Sequence, residues 1–132
     1  MAESRGMRAK AQIVAGDVSK KTALRELSKG RDVALINRGH SMRGLIEDGQ
    51  IVILCPVSCD ELKTGDIVLV RIRKERFIVH LIQDISDGNY LIGNNIGGVD
   101  GWVTPDAIYG KAIEISDELL DGSSINLLDE ND

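Results

Sequence analysis

The sequence predicts a mainly β fold: a coiled, mostly antiparallel sheet or small barrel, with one short N-terminal helix. Three observations lead there. From residue 32 onward, short apolar runs recur between closely spaced turn signals. Two of these runs, 66–73 and 76–84, alternate apolar and polar residues in part, and the Lys74-Glu75 link between them suits a hairpin. Helical spacing is confined to one stretch, residues 18–29.

The elements follow in chain order. Residues 1–17 are polar, basic and contain glycine, and read as a flexible arm. In residues 18–29, Leu24 and Leu27 share one helical face, Ser19 is a candidate cap and Gly30 a natural stop. Strands are expected over 32–37 and 50–54, the second ended by Cys55-Pro56, and over 66–73 and 76–84. Asp87-Gly88-Asn89 signals a turn into the strand residues Tyr90-Leu91-Ile92. Residues 93–101, rich in Gly and Asn, read as a loop, and 107–115 as a last strand. Residues 116–132 mix Leu119, Leu120, Ile125, Leu127 and Leu128 with acids, which fits either a short docking helix or a disordered tail. Three segments result: a basic arm and helix over 1–31, a β domain over 32–115 and an acidic tail over 116–132.

Composition narrows the function. The 132 residues allow one compact domain. Aromatic residues are 3% of the chain, so the core must be aliphatic and a base-stacking nucleic-acid platform is disfavoured. The net charge of −5 is unevenly spread: residues 1–31 oppose many bases with only Glu3, Asp17 and Glu26, whereas 116–132 carry acids and no base. Such asymmetry suits an acidic partner for the arm and a separate partner for the tail, or simply two solvated ends. Cys55 and Cys59 have no further Cys or His near enough to complete a metal site, so no metal or other cofactor is expected. The arm lacks the apolar segment of a secretory signal, and no apolar run nears the ~20 residues that span a bilayer. A reduced, soluble, cytoplasmic protein is the expectation.

Three places carry candidate chemistry. In Arg38-Gly39-His40-Ser41-Met42-Arg43-Gly44, a serine sits on a glycine-flanked turn between two strands. Such a turn is often purely structural, but it can also expose a hydroxyl and aim backbone N–H groups at an oxyanion. His80 is a lone polar residue in the apolar run Phe77-Ile78-Val79-His80-Leu81-Ile82. It reads as a satisfied core histidine or as a base held in orientation by its surroundings, since imidazole accepts protons near neutral pH. Asp100, before Gly101, is either a turn former or the acceptor that fixes the tautomer of His80. His40, next to Ser41, is a second candidate base.

These strings resemble the LexA/signal-peptidase superfamily. Gly39-His40-Ser41-Met42, followed by residues 45–52, resembles its nucleophile box. Leu62-Lys63-Thr64-Gly65-Asp66-Ile67-Val68 resembles the second box, and 77–82 the third, where the base belongs. The histidine there, with Gly93-Asn94-Asn95 before Asp100 and Ile108-Tyr109-Gly110-Lys111-Ala112 as a closing strand, is most similar to the endoplasmic-reticulum and archaeal signal-peptidase branch. The resemblance covers about residues 32–115 and implies a LexA-like peptidase fold and a serine endopeptidase. Carried over, Ser41 is nucleophile, His80 general base and Asp100 its orienting acid. Gly39, His40 and Met42 form the turn, the Ser41 N–H serves the oxyanion hole, and Met42 packs beneath.

The departures are specific. Gly44 stands where the family has proline, which implies a looser turn, and Gln50 replaces an aspartate after Gly49. The loop lacks the aspartate between Gly93 and Asn94, and Asp106 is a second acid that could orient His80. Lys63 and Lys74 lie in turns and outside the third box, so histidine is the favoured base. Ala15-Gly16 looks like the bond at which repressors of the family cut themselves. The one short helix is too little for a helix-turn-helix.

Three functions are in play. The first is a soluble serine peptidase acting on a partner protein or on itself, with the peptide bound as an added β-strand. The second is a catalytically silent LexA-like domain used as a protein-binding or assembly module. Nucleic-acid binding through the arm ranks third, since the chain is acidic overall and poor in aromatics.

Overall fold

A computed structural model describes residues 20–58, 61–74, 76–117 and 128–129. Helix α1 (Lys20–Ser28) is followed by β1 (Val33–Ile36), β2 (Ile51–Cys55), β3 (Ile67–Ile72), β4 (Arg76–Ser86), β5 (Asn89–Gly93) and β6 (Val99–Val103). A 3₁₀ turn (Pro105–Ala107) leads into β7 (Ile108–Ser116), and β8 (Leu128–Asp129) comes last.

The strands form a single sheet in the order β6-β5-β4-β3-β7-β2-β1-β8. The first seven strands pair antiparallel in a curled half-barrel, and β8 adds parallel to β1. Mainly β, mostly antiparallel and, among the described residues, with one short α-helix, this is the predicted fold class. Among the described residues, no helix is long and apolar enough to cross a membrane.

The helix stop is built as expected. Gly30, at φ +85°, takes the left-handed turn, and its N–H donates to the Leu27 carbonyl while the Arg31 N–H donates to that of Glu26. An apolar contact usually closes such a motif; here the Arg31 guanidinium pairs with the Glu26 carboxylate instead. The helix buries Ala23 and Leu27, residues i and i+4, against the sheet. Val18 and Ser19, the expected start and cap, lie outside the described residues.

The core is aliphatic, as the composition requires. Successive residues of β3 and β4 feed opposite faces of the sheet. Leu69 and Val79 are paired across the two strands and join α1, Met42, Ile46 and Leu54 in one cluster. Val68, Val70, Ile78 and Ile82 join Tyr90, Ile92 and Ile108 in a second. Tyr90 is the one aromatic side chain fully committed to the core among the described residues.

Curl comes from bulges. In four strand pairs the register skips a residue: Ile113 and Tyr109 on β7, Gln83 on β4 and Asp100 on β6. Each extra residue bends its strand and sharpens the local twist. The β4–β5 turn carries Asp87 at φ +52° and Gly88 at φ +79°, the geometry that matches strand twist in a two-residue hairpin.

One expectation needs correction. Residues 93–101 are not one loop: the chain turns over residues 94–98, and Val99–Val103 is a strand. Asp100 and Gly101 are poor strand formers; the pairing of their neighbours and of Gly101 to β5 keeps them in the strand, with Gly101 at φ +130° beside the Asp100 bulge. Near the C-terminus, Leu128–Asp129 pairs with the outer edge of β1. Residues 118–127 and 130–132, on which the expected docking helix or disordered tail falls, lie outside the described residues, as do residues 1–19 with the whole basic arm.

Candidate active site

Ser41 stands on the connection between β1 and β2. Beyond β1 the ladder continues for one step, with Asn37 N–H donating to the Gln50 carbonyl and Gly49 N–H to that of Asn37, both at 2.7 Å. Above this neck the chain makes one helical turn, closed by Ile46 N–H to the Met42 carbonyl at 2.8 Å. Met42 and Ile46 therefore point together into the first core cluster, while Ser41 and Leu45 face outward. Met42 is fully buried beneath the turn. The turn is braced from the far side by Asp48, which accepts the Gly39 N–H at 2.7 Å, and by Glu47, which accepts the Gly44 N–H at 2.9 Å. Gln50, in place of an aspartate, accepts the Glu47 N–H at 2.8 Å and donates to Asp117.

His80 lies near the middle of β4, opposite Val68 on β3. On its other side β5 ends at Gly93, which pairs with Leu81, so the neighbour beyond is the 94–98 turn. The Ser41 turn docks in that opening. Ser41 Oγ is 3.1 Å from His80 Nε2, and His80 Nδ1 is 2.7 Å from Asp100 Oδ2. An ionised carboxylate only accepts, so Nδ1 carries the proton and Nε2 is left to accept the Ser41 hydroxyl. The side chains of His80 and Asp100 are 12% and 20% exposed, enough cover to fix their orientation while leaving the serine reachable.

Asp100 reaches the ring because of its bulge. Gly101 pairs with Ile92 and Val99 with Gly93, which leaves Asp100 as the extra residue, turned out of the ladder. Asp106, the other acid considered, is elsewhere: it accepts from the Thr104 hydroxyl and lies 3.9 Å from Arg71. The Thr104 hydrogen bond, its own backbone N–H and Arg71 hold its carboxyl below the usual carboxylate range. Lys63 and Lys74 are exposed in turns, and His40 is exposed on the Ser41 turn. Ala15 and Gly16 lie outside the described residues.

Three residues not given a role from sequence build the scaffold. Gln83, the bulge residue of β4, donates its amide to the carbonyls of Asn94 at 3.2 Å and Gly98 at 3.0 Å. Asn94 Oδ1 accepts the N–H groups of Ile96 and Gly98, closing the turn on itself. Asn95 then reaches across: its N–H donates to the Ser41 carbonyl at 2.9 Å and its amide to the Arg43 carbonyl at 2.7 Å. Asn95 was visible within a motif, without a function; nothing in the local sequence around Gln83 points to its role.

A nucleophile turn, an internal histidine strand and an antiparallel half-barrel occur together over one continuous stretch, and the model of the Peptidase S24-like family matches residues 6–113 of the chain. The chain belongs to the Peptidase S24-like family. That membership agrees with the LexA/signal-peptidase resemblance at the level of the superfamily. Comparison with curated proteins and with solved structures gave no match.

Proposed function

We propose that this S24-like chain is a serine endopeptidase acting on a partner protein or on itself, with Ser41 as nucleophile, His80 as general base and Asp100 as its orienting acid. The observation that carries the reading is the continuous hydrogen-bonded chain from Ser41 Oγ through both ring nitrogens of His80 to the Asp100 carboxylate. In spacing and order of roles it is the arrangement that activates a serine hydroxyl.

The reaction balances with these groups alone. Ser41 Oγ attacks the scissile carbonyl carbon while its proton passes to His80 Nε2. The tetrahedral oxyanion is met by the Ser41 backbone N–H, which donates to no described residue. Collapse breaks the C–N bond, and the Nε2 proton goes to the leaving amine. Water then attacks the acyl-enzyme, gives its proton to Nε2, and frees the acid product as that proton returns to Ser41. Asp100 stays ionised and stabilises the imidazolium.

The surroundings suit an extended peptide. β6 is the edge strand of the sheet and carries Asp100, so a peptide adding to that edge would run beside the site. Leu45 on the nucleophile turn, Ile96 in the 94–98 turn, and Val99 and Trp102 on β6 are exposed apolar side chains around it. A histidine base aligns the chain with the endoplasmic-reticulum and archaeal signal-peptidase branch, and Ala15-Gly16 is the candidate bond for self-cleavage.

The test is the intact mass of wild type and Ser41→Ala after incubation at neutral and mildly alkaline pH, with and without a serine-reactive phosphonate or lactam. The reading expects an adduct or a cleavage product in wild type that is absent from Ser41→Ala. An unchanged wild-type mass under every condition overturns it in favour of a silent binding module.

A further inference from the structure

We infer that Asn95 is a positioning residue for the nucleophile, and that its amide fills the space left open at Gly44, whose positive φ already calls for glycine; the catalytic half of this rests on Ser41 being the nucleophile. The Ser41 turn offers two outward carbonyls, those of Ser41 and Arg43, and Asn95 takes both, one with its backbone N–H and one with its side-chain amide. Five residues later the same segment delivers Asp100 to His80. The loop that places the acid is thus tied to the turn that places the hydroxyl, and the Ser41–His80 separation is set by one cross-linked unit.

Gly44 completes the clamp. Its φ is +96°, a conformation that proline, held near −65°, cannot adopt. A Cβ there would lie 3.0 Å from Asn95 Nδ2, and its N–H is spent on Glu47 Oε2. The absence of proline therefore does not loosen the turn. Rigidity comes from Asn95, Glu47 and Asp48 in place of a ring.

The consequence is kinetic. A displacement of about 1 Å at a reacting atom costs roughly 10²-fold in rate. Asn95→Asp keeps size and shape but puts an acceptor against the Arg43 carbonyl, and Asn95→Ala removes the side-chain link while leaving the backbone one.

Two readouts separate this inference from the reading it rests on. The first is hydrogen exchange of wild type, Asn95→Ala and Asn95→Asp, each also in the Ser41→Ala background, where no activity is needed. Exchange should rise in residues 39–46 and stay unchanged in β2, β3 and β7; wild-type protection of 39–46 in both variants overturns the clamp. The second is the labelling of Ser41 by the phosphonate probe. Both variants should lose about 10- to 100-fold in the maximal labelling rate, with the half-saturating probe concentration nearly unchanged. Wild-type rates in Asn95→Asp overturn the positioning role. Failure of wild type itself to label overturns the nucleophile assignment and the kinetic half of the inference, while exchange still decides the clamp.

Discussion

His80 and Asp100 are joined at 2.7 Å because β6 holds one residue more than the strand it pairs with. A regular ladder through Val99 and Gly101 would leave Asp100 in line with its neighbours. The bulge turns it toward the ring, and Nδ1 is thereby committed to donation. Asp100→Asn offers the ring an amide that can present a donor and so stabilise the wrong tautomer. The maximal rate of Ser41 labelling should fall by about 10⁴-fold. Asp106→Asn, whose carboxylate serves Thr104 and Arg71, should label at the wild-type rate. Equal losses in the two variants would contradict the assignment.

Removal of His80 should act as part of a unit. His80→Ala is expected to cost about 10⁴- to 10⁶-fold in labelling, and adding Asp100→Asn to it should cost little more, since the acid works only through the ring. Additive losses would show that Asp100 contributes by another route.

The helix end predicts an acid-sensitive contact. The Arg31 hydrogen bond, aided by the charges of Arg31, Lys29 and Arg25, holds the Glu26 carboxyl below its ordinary value, against the opposing effect of burial. A carboxyl depressed in the folded state stabilises the fold above its unfolded value, and the benefit is lost as pH falls through the folded one. Urea midpoints measured between pH 7 and pH 3 should fall less steeply for Glu26→Gln than for wild type. Identical slopes would mean that the pair contributes nothing to the acid limb.

Gly93 is a packing glycine. A Cβ there would lie 2.1 Å from Gln83 Nε2 and 2.5 Å from the Gly98 carbonyl. Gly93→Ala should destabilise by about 1–3 kcal/mol, and Gln83→Ala by about 1–3 kcal/mol through the Asn94 carbonyl it leaves unmet and the Gly98 carbonyl it leaves with the Asn94 N–H alone. The double variant should cost less than the sum, since one of the two clashes disappears. Thermal or urea unfolding of the four proteins measures this.

Met42 supports the nucleophile from below. It is fully buried, so Met42→Ala should cost about 2–5 kcal/mol. Leu45→Ala, on the exposed side of the same turn, should change stability by less than about 0.5 kcal/mol. A urea titration that found the two alike would place Met42 outside the core.

Much of the fold was legible because its signals are local. The β3–β4 hairpin announces itself by two apolar runs around a short polar link, the β4–β5 turn by Asp87-Gly88, and the helix stop by Gly30. Ser41 and His80 were legible for a related reason: a serine between glycines and a histidine inside an apolar run each break the surrounding pattern. Strand β6 was not, since Asp100 and Gly101 read as a turn until β5 lies beside them.

What the sequence by itself determined is a mainly β, aliphatic-cored chain with a serine turn and an internal histidine, since periodicity, turn chemistry and composition act over a few residues at a time. Only the tertiary structure decided which acid meets His80, that Gln83 holds the 94–98 turn, and that Asn95 ties that turn to Ser41. Those contacts join residues 11 to 54 positions apart. They depend on strand register and on a bulge that shifts it by one, and no local propensity encodes such a shift.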